Sequence, residues 1–98
     1  IQNKEYQLSI FNGVGEAGAA SKTAELLEKY GFQISEIGNA DKYDYQSSII
    51  KYYSKEDKKT ASQIAELLGG QIEFVEEAEE NLNKNIEVIV GAGYQRSV

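Results

Sequence analysis

The chain has 98 residues, of which 41% are hydrophobic and 27% charged, values that are typical of one small globular domain. Its sequence has no apolar run of the ~18 residues that a membrane span needs. Its formal net charge of -6 argues against a nucleic-acid binder and against docking on anionic lipid, since both need a basic surface. Because Cys and His are both absent, thiolate chemistry and Ser-His-Asp catalysis are excluded, and we expect neither a metal nor another cofactor.

The first part of the chain predicts a strand, a glycine-rich loop, a helix and a second strand. Apolar residues that alternate with polar ones mark the opening strand, namely Tyr6, Leu8 and Ile10. The helix has an apolar stripe of helical spacing, made of Ala20, Ala24 and Leu27. Gly31 follows where a left-handed residue commonly ends a helix, and Phe32 and Ile34 begin the second strand.

The second part predicts a strand, a helix and a strand again. The third strand covers residues 48–53, and Ser54 with Asp57 can cap the helix after it. That helix has an apolar stripe made of Ala61, Ile64, Ala65 and Leu68. Gly69 and Gly70 end it before a fourth strand with Ile72, Phe74 and Val75. The Ala-Glu-Leu-Leu of residues 24–27 recurs at residues 65–68, which favours two related β-α-β units, although this tetrapeptide is also common helix material.

Residues 76–80 are mostly acidic, and we interpret them as a solvated connection rather than a cation site. A fifth strand with alternating apolar residues follows, marked by Ile86, Val88 and Val90. Because the first and fifth strands both alternate, one face of the sheet should meet water, and two helices are too few to cover both faces.

We therefore predict an α/β (α+β) fold as a two-layer sandwich, in the order βαββαβ plus a fifth strand, with both helices on one face of a mixed sheet. This order fits a split-βαβ, ferredoxin-like plan, while the strand order and the neighbour of the fifth strand stay open. We expect residues 1–98 to form a single domain with a core at about residues 6–94.

The loop after the first strand satisfies the pattern G-x-G-x-x-G with Gly13, Gly15 and Gly18. In a dinucleotide-binding fold such a loop presents backbone N–H groups to a pyrophosphate, and Glu36 stands where a ribose-binding acid would lie. Glu16 opposes this interpretation, because it puts a negative charge where the phosphates would bind. The alternative is that the glycines only form a tight turn into the helix.

Several motifs, taken in order, resemble the LytR C-terminal domain family over about residues 6–94. The first is a strand that ends in Asn-Gly before a glycine-rich helix start. The second is Tyr-Gly-Phe before a strand that ends in Gly-Asn. The third is a Ser-x-Ile-x-Tyr strand, and the fourth is a valine-rich strand before Gly-x-x-Tyr. Here they occupy residues 10–20, 30–40, 48–52 and 88–94. One departure is Gly93, since family members often have Asp before the final Tyr.

The resemblance implies an accessory module outside the cell membrane with no catalytic residues of its own. Such domains usually follow a membrane-anchored LytR-CpsA-Psr catalytic domain, which transfers glycopolymers onto peptidoglycan, or stand alone behind a single membrane anchor. We therefore expect an extracytoplasmic domain of the cell envelope, tethered by an anchor elsewhere in a longer protein and not itself inserted in the membrane. The lack of Met agrees with a piece of a longer chain.

A tyrosine-rich connection between the second and third strands holds the candidate ligand-binding side chains Tyr43, Asp44 and Tyr45. Aromatic rings can cover the C–H groups of a sugar while carboxylates accept from its hydroxyls. From the glycine loop we add four candidates, Asn12, Gly13, Gly15 and Gly18. In the alternative interpretation, the two tyrosines pack over the sheet edge and Asp44 caps the turn. Asp41 and Asp44 give only a weak indication of a glycosidase pair.

The favoured hypothesis is a non-catalytic envelope module that binds cell-wall glycan or an envelope protein. The alternatives are a nucleotide-binding domain that uses the glycine loop, and a structural domain that dimerises through an edge strand. The oligomeric state stays open.

Overall fold

Five strands and two helices make up the part of the chain that the computed structural model describes, residues 8–53, 57–76 and 86–92. The elements are β1 (Leu8–Asn12), α1 (Ala19–Lys29), β2 (Ile34–Asn39), β3 (Ser48–Tyr52), α2 (Asp57–Leu68), β4 (Ile72–Glu76) and β5 (Ile86–Val90). The predicted cap at Ser54, the start of the first strand at Tyr6 and the acidic residues 77–80 lie outside the described residues.

The strands form one mixed sheet in the order β2-β1-β5-β3-β4. Strand β1 is parallel to both β2 and β5, whereas β3 is parallel to β4 and antiparallel to β5. Each β-α-β unit therefore keeps its two strands adjacent, so the split-βαβ plan has the wrong pairing. The fifth strand lies between the two units, where four of its five residues are buried. An apolar strand gains most from a central position, because both of its edges are then paired.

Both helices form where the apolar stripes predicted them, and they pack against each other over the same face of the sheet. In α1 the buried residues are Ala19, Ala20, Thr23, Ala24 and Leu27. Gly31 has φ +93 and donates to the carbonyl of Glu28 at 3.1 Å, while Phe32 donates to the carbonyl of Leu27 at 3.2 Å. These two bonds form a Schellman motif, which confirms the predicted helix end. Gly69 and Gly70, also left-handed, end α2.

The core lies between the helices and one face of the three central strands. The strand residues on that face are Leu8, Ile10, Ile50, Tyr52, Ile86, Val88 and Val90. Ser9 and Ile89 point to the opposite face by the pleat of the strands, yet they are 0% and 5% exposed. That face is thus wet only in part. One reason is that the connection between β2 and β3 crosses one end of this face and brings Tyr45 close to Ile89. Both side chains lie next to Gly13.

The edges of the sheet are β2 and β4, and each exposes one large apolar side chain. Ile37 is 49% exposed and Phe74 is 42% exposed. Self-association through an edge strand stays a prediction. No helix among the described residues is both long and apolar enough to cross a membrane.

Candidate functional site

Three segments that are far apart in the sequence meet where β1 and β5 end. The N–H of Ala40 donates to the carbonyl of Asn12 at 2.9 Å, and the N–H of Tyr45 donates to the carbonyl of Gly13 at 3.2 Å. The N–H of Ala92 donates in turn to the carbonyl of Tyr45 at 2.8 Å. These bonds fix the β2–β3 connection, residues 40–47, between the glycine loop and the end of β5. The sequence-predicted loop and tyrosines are therefore neighbours in space.

The Asn12 side chain organises the glycine loop from within. Its Oδ1 accepts from the backbone N–H groups of Val14 and Gly15, both at 3.0 Å, and its Nδ2 donates to the carbonyl of Glu16 at 2.8 Å. The residue is 8% exposed. Both ends of the amide are thus used inside the loop, so Asn12 positions the loop backbone and has little surface left for a ligand.

The same bonds bear on the dinucleotide hypothesis for this loop. A pyrophosphate needs backbone N–H groups that point outward at a helix N-terminus. Here the N–H groups of Val14 and Gly15 face Asn12, that of Gly13 donates to Val90 at 2.9 Å, and that of Ala19 donates to Glu16 at 3.1 Å. The hydrogen bonds therefore favour the tight-turn interpretation of the glycines.

Two of the glycines make room for the tyrosines of the connection. A Cβ on Gly13 would lie 2.8 Å from Cδ1 of Tyr45 and 2.9 Å from Cγ2 of Ile89. Gly15 has φ +72 and lies against Tyr43, whose Cβ and Cγ would be 3.3 Å from an added Cβ. Gly18, with φ +83, precedes α1, and a Cβ there would approach only the side chain of Lys22, at 4.0 Å. A side chain at position 13 would therefore press on the carbonyl oxygen of Val90, at 2.6 Å, as well as on the Tyr45 ring, and one at position 15 would press on the Tyr43 ring.

A groove of about 230 Å³ opens on the helix-free face of the sheet, next to this junction. Its lining residues are Phe11, Asn39, Ala40, Asp41, Tyr45, Lys51, Glu87 and Ile89. Phe11 and Ile89 are register partners on β1 and β5, and Lys51 lies opposite Glu87 on β3 and β5. The groove thus has two apolar side chains from the sheet, an aromatic ring from the connection, and charged groups of both signs.

Tyr45 is held in the groove by its hydroxyl, which donates to Oδ1 of Asp41 at 2.8 Å. The ammonium of Lys42 lies 5.1 Å from the centre of the Tyr45 ring, a cation–π distance. The hydrogen bond to Asp41, together with burial and the negative charges of Asp41, Asp44 and Glu87, raises the pKa of Tyr45 above its ordinary value. The Tyr45 hydroxyl therefore keeps its proton near neutral pH and acts as a neutral hydrogen-bond donor.

We expect Tyr45 to lose its proton at a higher pH than an unfolded tyrosine, whose pKa is about 10. Since the folded pKa is raised, the stability that Tyr45 contributes is fully present below about pH 10 and is lost as the pH rises through the folded pKa. Tyrosinate absorbance, measured as the difference between the wild type and Tyr45→Phe, isolates this transition. Asp41→Asn should move it to lower pH, and an unchanged midpoint in Asp41→Asn would contradict the assigned cause.

The structure separates the predicted tyrosine site into two parts. Tyr45 lines the groove, whereas Tyr43 covers Gly15, is 52% exposed and lies outside the groove lining. Asp44 also lies outside it, with its carboxylate 4.0 Å from the ammonium of Lys42. The acid that reaches the groove is Asp41 instead. Among the described residues, no group of three or more acids is arranged to hold a metal ion.

Sequence reasoning missed the groove residues on the three central strands, which are Phe11, Lys51, Glu87 and Ile89. Each alternates along its strand with a residue of the core, such as Ile10 or Ile50, and thus points to the helix-free face. The alternation was visible in the sequence. What it could not supply was the order of the strands, which places β5 between β1 and β3.

Comparisons with known proteins agree with this architecture. The soluble domain of a conserved hypothetical secreted protein from Mycobacterium marinum superposes with a TM-score of 0.70 at 15% identity, covering 99% of this chain and 70% of that one. The solution structure of the C-terminal domain of RV0431 superposes with a TM-score of 0.62 at 24% identity, covering 94% and 76%. At these identities the likeness shows the fold, and it confirms the predicted mixed sheet with two helices.

Sequence comparisons extend the likeness. The vesiculogenesis and immune response regulator of Mycobacterium tuberculosis (strain ATCC 25618 / H37Rv) is 29% identical over 69 residues, which are 69% of this chain and 42% of that protein. The chain thus matches less than half the length of this curated relative. The family described as LytR cell envelope-related transcriptional attenuator matches residues 5–94. This match covers nearly the whole chain, as the order of the motifs predicted, and the chain therefore belongs to the LytR C-terminal (LytR_C) family of cell-envelope accessory domains.

Proposed function

We propose that this domain is a non-catalytic binding module of a cell-envelope protein, and that it binds cell-wall glycan in the groove on the helix-free face of its sheet. The observation that carries the proposal is the Tyr45 ring, held by Asp41 at 2.8 Å beside an apolar strip of Phe11 and Ile89. An aromatic face next to fixed acceptors is suited to a sugar ring, which has apolar C–H groups and polar hydroxyls on the same small body.

The size of the groove supports a short ligand segment. At about 230 Å³ it is smaller than the pockets of about 300 Å³ and above that enclose drug-sized molecules. It can hold one or two sugar units of a longer polymer and leave the rest in solvent. A repeated polymer would then offer this one groove many equivalent binding positions along a single chain.

The setting of the domain is part of the same proposal. The longer protein would place this module outside the cell membrane behind an anchor, with any glycopolymer transfer performed by another domain. The Mycobacterium marinum relative is described as a secreted protein, which supports an extracytoplasmic location. The family match supports an accessory role in the envelope. An envelope protein as partner is the alternative that would remain if the domain does not bind the polymer in the experiment below.

The test is binding to purified peptidoglycan by co-sedimentation, followed by titration of soluble fragments with tyrosine fluorescence, which is usable because the chain has no Trp. We expect Tyr45→Ala to weaken binding about tenfold, or ~1.4 kcal/mol, because the ring that covers the sugar is lost. Tyr43→Ala is the matched control, since Tyr43 lies on the same connection but outside the groove lining.

Three results would overturn the proposal. One is that the wild type does not bind the polymer. Another is that Tyr43→Ala weakens binding as much as Tyr45→Ala does. The last is saturable binding that survives the loss of Tyr45 unchanged. Thermal unfolding of each variant separates a lost contact from a lost fold.

A further inference from the structure

We infer that the groove selects a glycan with a free primary amine, that is, an amino sugar without its N-acetyl group, over neutral and anionic sugars. This inference rests on the proposed function and adds the chemical class of the sugar. It follows from which charged groups line the groove and from how close they lie to the aromatic ring.

The lining holds two carboxylates and one ammonium group. Asp41 comes from the β2–β3 connection and Glu87 from β5, whereas Lys51 comes from β3 and lies opposite Glu87. The nearby pair of Lys42 and Asp44, at 4.0 Å, adds no net charge. With one excess negative charge in the groove and -6 on the whole chain, the local potential favours a cationic group.

Both carboxylates act on the same position. Asp41 accepts the hydroxyl of Tyr45, and the charge of Glu87 also raises the pKa of that phenol, so both acids lie within electrostatic reach of the ring. The hydroxyl occupies Oδ1 of Asp41, and Oδ2 has acceptor capacity of its own. An ammonium on a sugar stacked against Tyr45 would therefore lie in a groove whose lining includes both acids. Charge-assisted hydrogen bonds of this kind are roughly twice as strong as neutral ones.

The Tyr45 ring already holds one cation. Lys42, which is not among the lining residues, places its ammonium 5.1 Å from the ring centre. The electron-rich phenol thus suits an ammonium group, and a sugar amine would take the place of Lys42 there, because two ammonium groups on one ring repel each other. An N-acetyl group would remove the charge that these contacts recognise.

Anionic polymers are disfavoured by the same arrangement. A phosphodiester or carboxylate in the groove would find Lys51 as its one cationic lining residue, and Lys51 lies opposite Glu87. Asp41 and Glu87 would repel it at short range, which costs more inside a groove than on an open surface. The charged groups that line the groove therefore disfavour phosphate-rich wall polymers and favour an amine.

The experiment compares three soluble probes by titration at low salt and about pH 6, below the pKa of an amine. The probes are a glucosamine trisaccharide, its N-acetylated counterpart and a phosphorylated sugar. We expect the amine form to bind about tenfold more tightly than the N-acetylated form, and the phosphorylated sugar to bind least. Asp41→Asn and Glu87→Gln should each reduce that ratio several-fold. Glu66→Gln, an exposed acid on α2, is the matched control and should leave it unchanged.

The possible results separate the two proposals. Equal or tighter binding of the N-acetylated sugar overturns the amine preference and leaves glycan binding intact, whereas no binding of either trisaccharide overturns glycan binding itself. If Glu66→Gln reduces the ratio as much as Glu87→Gln does, the attraction belongs to the whole chain and the groove assignment is wrong. A lysine tripeptide that binds as tightly as the amine trisaccharide overturns the choice of a sugar.

Discussion

Replacing Gly91 by alanine is expected to lower the free energy of unfolding by about 3 kcal/mol, a large part of the ~5–15 kcal/mol that holds a small domain together. Gly91 follows β5 and lies directly on the chain that enters β3. An added Cβ would overlap the carbonyl group of Ser47 and lie 2.6 Å from the nitrogen of Ser48. Because both neighbours are backbone, neither can rotate away, and the buried bond from the Gly91 N–H to Oγ of Ser48, now 2.9 Å, would be disturbed as well.

Urea unfolding measures this effect as a shift of the midpoint with an unchanged slope. Gly38→Ala is the matched control. Gly38 lies in β2, and its added Cβ would be 3.4 Å from the ring of Phe11, close to an ordinary contact. We expect that variant to stay within about 1 kcal/mol of the wild type, since alanine also restricts the unfolded chain. If the two variants lose equal stability, close backbone approach is not the reason for glycine at position 91.

The second large effect is expected for Asn12→Ala, at about 2–3 kcal/mol of lost stability. The substitution removes the acceptor of two backbone N–H groups and the donor to the carbonyl of Glu16, and Asn12 itself is nearly buried. Each such bond contributes about 1 kcal/mol net, and its loss leaves a partly buried partner unsatisfied. Because the loop also carries the connection with Tyr45, binding in the groove should weaken together with stability.

Asn12→Asp distinguishes the two halves of the amide. The carboxylate keeps the acceptor for Val14 and Gly15 but loses the donor and faces the carbonyl of Glu16. In thermal unfolding, the stability of Asn12→Asp should lie between that of the wild type and that of Asn12→Ala. Asn39→Ala, at an exposed position that ends β2, is the control and should cost less than about 0.5 kcal/mol. A comparable loss in both alanine variants would contradict the role assigned to Asn12.

Local patterns were sufficient to predict the elements of this fold but not how its strands pair. The helix stripe with Leu27 and the left-handed end at Gly31 depend on periodicity and backbone preference, which neighbouring residues determine. The position of β5 depends instead on contacts between residues that are far apart in the chain. Two adjacent β-α-β units and a split arrangement require the same alternation, so the sequence pattern could not decide between them.

The candidate site was predicted in part for the same reason. Tyr45 was a candidate because of its chemistry on a polar connection, and a tight turn was one of the two interpretations of the glycine loop. Glu87 and Lys51 look like ordinary solvent-facing strand residues until β5 and β3 are placed side by side. Asp44 was the acid named as a candidate, but the turn of the connection directs Asp41 to the hydroxyl of Tyr45.

The position of β5 has a consequence for how the domain matures. All strand pairing between the two β-α-β units in the described part of the chain runs through β5, which is also the last of the five described strands to be synthesised. Until residues 86–90 emerge from the ribosome, the inner edges of β1 and β3 lack the strand that pairs with both of them. Assembly of the sheet must therefore wait for β5. A chain that ends before β5 would form two halves that are prone to aggregation and proteolysis, rather than a smaller functional domain.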